Sequence, residues 1–216
     1  MKLKLLVLFL PFLLAAIAKP SRELISMAVG HLTNHVVTSR EVNINFFVES
    51  VLYGKRDKAR VKKFYNVKSA EFSREVTAVL LEWVVYRESK AFTTIKVPER
   101  ELHKALLKFM AIAKSRHLWP SLHVSHSELR ALVTRKLRAK KFVRFKVDSS
   151  VVPITEDEAR KYFKQNRLKF GNLPFDNFKQ NIIAYLSRKQ VDRRLKDWFD
   201  VLQNKYQVRN FLAEVE

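Results

Sequence analysis

The stretch Val29-Gly30-His31-Leu32-Thr33-Asn34-His35-Val36-Val37-Thr38-Ser39-Arg40-Glu41-Val42 decides the fold, because the periodicity of the chain changes inside it. Its first part is rich in β-branched residues and alternates weakly, so Leu24 to Val37 reads as a short hairpin turning at Asn34-His35. Thr38, followed three residues later by Glu41, reads as a capping box. Val42, Phe46, Phe47, Val51 and Leu52 then recur on one helical stripe that ends at Gly54. A strand pair that runs directly into a helix predicts a mainly helical fold with a small sheet.

Toward the C-terminus, helical spacing dominates. A basic connector, Lys55 to Lys63, leads to Phe64-Tyr65 and then to a helix starting near Ser69, with Phe72, Val76, Val79, Leu80, Trp83 and Val84 as its core face. Pro98 sits where the first turn of the next helix tolerates proline. That helix buries Leu102, Leu106, Leu107, Met110 and Ala113, and Trp119-Pro120 closes it. Ser125 and Glu128 form a second capping box ahead of Leu129, Leu132, Val133 and Leu137, and Arg144-Phe145-Lys146-Val147 reads as an extended exit. Thr155 and Glu158 form a third box, opening a helix to about Phe170. A last helix, Pro174 to about Lys205, turns Phe178, Ile182, Tyr185, Leu186, Leu195, Trp198, Phe199 and Leu202 inward. Tyr206 to Val215 is expected to return as a strand and pair with the first hairpin. The chain has only three glycines, too few for Gly-rich loops or for most sheet architectures built on tight turns.

Toward the N-terminus, Lys2 and Lys4 precede an apolar run from Leu5 to Ile17, then Ala16-Ile17-Ala18 as a small-x-small cleavage site. This is the grammar of a secretory signal peptide over residues 1–18. The rival reading, a retained anchor, has too short an apolar run to cross about 30 Å of hydrocarbon. There is no cysteine, hence no lipidation site at the cleavage point and no disulfide. The mature chain, 19–216, is expected to be periplasmic and to form one domain in which 155–216 closes onto the N-terminal half. Without Lys2 and Lys4 it would carry 40 basic against 21 acidic residues, a net charge of +19. Such a field attracts nucleic acid, lipid headgroups and acidic polypeptides, and export weakens the first of these.

Chemical motifs are sparse. His123 and His126 flank a capped helix start with no cysteine or paired carboxylate beside them, short of a metal site. Glu156-Asp157-Glu158 falls on a first helical turn, where negative charge is favourable anyway. No nucleophile elbow or phosphate-cradling loop occurs, so no catalytic residue, nucleotide site, metal or other cofactor is expected. The basic runs remain, with Lys58, Arg60, Lys62, Lys63, Arg135, Arg138 and Lys141 as a candidate basic surface. Phe64, Tyr65, Trp119 and Leu122 fall outside the helical stripes, as satellite core or as a client-contacting surface.

Three segments resemble SurA-like periplasmic chaperones: VGHLTNHVVTSREV at 29–42, VPITEDEARKYF at 152–163, and the helix from Pro174 to Trp198. Members of that family carry parvulin-type prolyl isomerase domains between the second and third segments. Here Phe170 reaches Pro174 through Gly171-Asn172-Leu173 alone. The resemblance therefore implies the peptide-binding core without isomerase activity: an ATP-independent chaperone-like module whose partners are unfolded or outer-membrane proteins. The alternative is a binder of anionic envelope polymer, lipid headgroup or nucleic acid through the basic faces; a degenerate enzyme with a structural role is a third class. The leader predicts a mature N-terminus at Lys19. N-terminal sequencing of the protein from envelope fractions checks this, and an intact Met1 chain in the cytoplasm would contradict it.

Overall fold

The computed structural model describes residues 26–54 and 63–213. The expected leader, the beginning of the expected hairpin, Lys58, Arg60 and Lys62 of the basic connector, and Val215 of the expected last strand lie outside the described residues. The order of elements is β1 (Ala28–Leu32), β2 (His35–Thr38), α1 (Ser39–Tyr53), α2 (Ala70–Ser89), α3 (Glu99–Ala113), α4 (His126–Ser150), α5 (Glu156–Gln165), α6 (Lys179–Lys205) and β3 (Arg209–Asn210). Short 3-10 turns occur at Pro120–Leu122, Arg167–Lys169 and Phe175–Asn177. The protein is mainly helical, and its small antiparallel sheet, in the order β2-β1-β3, draws on segments near both ends of the chain.

The hairpin turns one residue earlier than expected, at Thr33-Asn34, and His35 is already the first residue of β2. Thr33 is left-handed, with φ 44°, a costly state for a β-branched residue. It is held there by the C-terminal segment: both its amide and its hydroxyl donate to the carbonyl of Tyr206, at 2.8 and 3.0 Å. β1 carries a bulge between Ala28 and Gly30 and pairs with β3 through Gly30 and His31. A Cβ on Gly30 would stand 3.0 Å from Leu80 and 3.1 Å from the Arg209 carbonyl, so the middle strand needs glycine at that crossing.

Helix starts follow local chemistry. Thr38, Ser69, Ser125 and Thr155 each accept the backbone N–H three residues on. Of the three expected capping boxes only Thr155–Glu158 is reciprocal. Glu41 and Glu128 turn outward from their helix ends to tertiary partners, because an arginine offers a carboxylate more than an exposed backbone N–H does. Other expectations shift for packing reasons. Arg144–Val147 is helical rather than extended, and α4 runs to Ser150. Phe142 and Phe145 lie one turn apart against Phe92, and no proline intervenes before Pro153. In α3 the buried residues are Leu102, Leu106, Phe109 and Ala113, while Leu107 and Met110 are exposed. Tyr185 is likewise exposed. α5 stops at Gln165, capped by Asn166, and α6 begins at Lys179 after the 3-10 turn.

Four apolar clusters result among the described residues. α1, α3, α4 and the segment around Trp119 enclose Ile44, Phe47, Phe109 and Val133. The sheet, α2 and the C-terminal segment enclose Val29, Leu32, Phe72, Leu80 and Leu202. α2, α4 and α6 meet around Val85, Ala139 and Phe142, with Trp198 and Phe199 packed against them. α5 and the N-terminal half of α6 form an arm with its own small core of Ala159, Phe163, Phe175 and Ile182. Along α6 only Ile182 and Leu202 are buried, one in each of two clusters, so the helix works as a strut. Leu202→Ala is expected to cost about 2–5 kcal/mol, whereas Leu168→Ala, at a fully exposed position, leaves stability unchanged. Urea unfolding of the two variants checks this, and truncation at Phe170 is expected to abolish cooperative melting.

Candidate functional site

Glu41, Asn45 and Glu49 stand four residues apart on α1 and so share one side of it. That side faces Glu82 of α2 and the neighbouring cations Arg135 and Lys136 of α4. Arg135 donates through Nη1 to Glu41 at 2.9 Å and through Nε to Glu82 at 2.7 Å. Lys136 bridges Glu49 and Glu82 at 2.6 and 2.7 Å. Asn45 donates to Glu82 at 3.2 Å, and the Trp83 indole donates to Glu41 at 2.6 Å. The Arg135 guanidinium lies 4.1 Å from the Trp83 ring centroid, a cation–π contact. Both cations are 5% exposed, which removes Arg135 from the expected basic surface. The carboxylates that meet it replace water as partners only because they arrive together from two other helices.

Burial pushes the Glu82 carboxyl up, but the adjacent Lys136 and Arg135, by charge and by hydrogen bonding, pull it further down, so it stays ionised below the ordinary glutamate range. Arg40 makes a second junction. It forks onto Glu128 at 2.6 and 3.0 Å and also donates to the carbonyls of Leu122 and His123. The hydrogen bond to Arg40, with its charge, outweighs burial and lowers the Glu128 carboxyl.

Beside the network an open cleft of about 320 Å3 lies between α1, α2, α4 and α6. Leu81, Val85, Val143 and Phe199 give it apolar walls, the Glu82–Lys136 pair lies at its polar side, and Tyr53 and Lys140 stand at the rim. Burial, and then the nearby Glu49, Glu82 and Glu101 carboxylates, push the Tyr53 hydroxyl up to about 12. The Lys140 ammonium sits 4.0 Å from the centroid of that ring.

The residues singled out from the sequence occupy other places. Trp119 stacks on Phe47 at 5.2 Å and meets Phe109 edge-on at 4.7 Å. Leu122 is buried, Phe64 packs against the same cluster, and Tyr65 is exposed with its ring 5.0 Å from Phe46. Leu122 is therefore core, and Trp119 is half-buried against the same cluster. Arg138 is half-buried and donates to the Ser89 hydroxyl and carbonyl, closing the end of α2. Lys141 pairs with Glu101 at 2.8 Å, and Lys63 is exposed. The His123 carbonyl serves Arg40, and among the described residues no group of three or more His, Cys, Asp or Glu is placed to hold a metal ion. Leu81 of the cleft falls off the α2 stripe, which is the signal that marks it in sequence.

Compared with protein-family models, curated proteins and solved structures, the chain matches none of them.

The Glu82 carboxyl is lowered on folding, so its contribution to stability is complete above the unfolded glutamate value, about 4.3, and is lost as pH falls through the folded value. Glu82→Gln is expected to destabilise the protein at neutral pH by about 3–5 kcal/mol and to flatten its acid dependence. Urea unfolding across a pH series checks both; an unchanged acid slope in the variant would count against this account.

Proposed function

We propose that the protein is an exported, ATP-independent chaperone-like module that binds unfolded or partly folded envelope proteins and has no isomerase activity. The observation that carries this reading is the open cleft between α1, α2, α4 and α6. Its volume, about 320 Å3, is at the low end for small-molecule sites and suits one or two apolar side chains of an extended polypeptide. The Glu49, Glu82 and Lys136 charges on its wall already have partners, so the cleft asks for apolar contact rather than for a counter-ion. The segment order that resembles SurA-like chaperones supports the reading, as does the leader pattern at 1–18. The link between α5 and α6 consists of short 3-10 turns, where those chaperones carry their isomerase domains. The excess of cations would speed encounter with acidic segments of a client.

The mature protein is expected to suppress aggregation of an unfolded outer-membrane protein at near-equimolar ratio without ATP, and not to accelerate proline-limited refolding. Light scattering during dilution from denaturant measures the first. Val143→Asp and Phe199→Ser, in proteins that melt normally, should weaken holding at all salt concentrations. Neutralising Lys58, Arg60, Lys62 and Lys63 should slow capture mainly at low salt, where the screening length is about 10 Å at 0.1 M. Full activity in the cleft variants, with loss in the charge variants, would replace this reading by polyanion binding.

A further inference from the structure

Between α5 and α6 the chain turns over the small aromatic core of the arm. Residues Arg167–Lys169 form a 3-10 turn, in which side chains three residues apart share a side. Arg167 and Phe170 therefore point the same way, and both reach Phe163: the guanidinium lies 4.8 Å from that ring's centroid and the Phe170 ring 4.9 Å. Phe170 also meets Phe178 at 5.0 Å. With the inner side taken, Leu168 is turned away and lies wholly in solvent. Arg167 donates through Nη1 to the Leu173 carbonyl at 2.7 Å, which ties the second half of the turn to the first. Leu173 is half-exposed. Lys164, Arg167 and Lys169 are exposed around these leucines, and no acidic residue occurs from Ala159 to Phe175.

The turn is thus a convex knob that shows two leucines among three cations. A leucine in full solvent contributes no packing, and its apolar surface favours any surroundings that remove it from water. An acidic polypeptide would satisfy the cations, but would also have to supply a pit shaped to the leucines. A bilayer moulds itself around a knob of any shape. Its acyl chains take apolar side chains, and anionic headgroups take Lys and Arg whose stems reach up to them. We propose that the turn between α5 and α6 is a membrane-contacting surface that inserts Leu168 and Leu173 into an anionic lipid leaflet, with Lys164, Arg167 and Lys169 at the level of the headgroups. The knob stands apart from the cleft of the proposed function and does not rest on it.

The test is sedimentation of the mature protein with phosphatidylglycerol and with phosphatidylcholine vesicles. Binding to phosphatidylglycerol is expected, and to be at least about tenfold weaker on phosphatidylcholine. Leu168→Ser with Leu173→Ser should weaken it by about tenfold or more, with unchanged melting. Lys164→Gln with Lys169→Gln should do the same, while Arg167 is left to hold the turn. Tryptophan fluorescence then separates insertion from adsorption. Leu168→Trp should shift its emission to the blue on phosphatidylglycerol vesicles, and Val201→Trp, at an exposed position on α6, should not. No binding to phosphatidylglycerol, or equal binding to phosphatidylcholine, would overturn the proposal. Full binding by the double leucine variant, or an equal shift at position 201, would also overturn it, because either would mean a diffuse field acting over the whole surface rather than insertion at this turn.

Discussion

The ion network of Arg135 and Lys136 with Glu41, Glu49 and Glu82 joins α1, α2 and α4, and the rest of the body is arranged around that junction. Desolvating the buried members, Arg135, Lys136 and Glu82, costs several kcal/mol per ion, offset by the partners each finds, with Arg135 Nη2 left as a buried donor without one. The three helices therefore have one register in which the network closes. Apolar packing alone would tolerate sliding, since Leu, Val and Phe on neighbouring turns are interchangeable in a way that a forked guanidinium is not.

That constraint shapes the candidate site. Lys136 and Glu82 hold α2 and α4 at the polar side of the cleft, and Phe199 reaches it from α6. α6 is anchored at its far end by Lys205 and Tyr206, which both bond Glu88 of α2 at 2.7 and 2.9 Å. The walls are thus carried on helices fixed by ionic contacts, while the apolar surface between them is left open. An open apolar cleft with rigid borders follows from that division of labour.

Features with local causes were legible in the sequence. Helix starts at Thr38, Ser125 and Thr155 follow from one hydroxyl and the next three residues, and the C-terminal segment does return to the hairpin, but only Arg209–Asn210 of the expected Tyr206–Val215 strand pair with it, the residues on either side turning instead. Features set by distant residues were not. Arg135 looks like one more cation in a basic run until Glu41, 94 residues away, and Glu82, 53 away, are brought to it. The alternation of Arg144-Phe145-Lys146-Val147 mimics a strand, and only the packing of Phe145 with Phe142 and Phe92 makes it helical. Trp119 and Leu122 lay off the stripes because they cap the end of a cluster from a 3-10 turn, which has no helical stripe to share.

Thr33 and Tyr206 are 173 residues apart, and the pairing of β3 with β1 has a similar span. Closing so long a loop is slow, because its entropy must be lost before the contact gives anything back. During synthesis α1 to α4 are complete well before the segment that covers Leu32 and holds Thr33 in its left-handed state. The nascent chain thus carries an open seam along its sheet until the segment that follows α6 has been made.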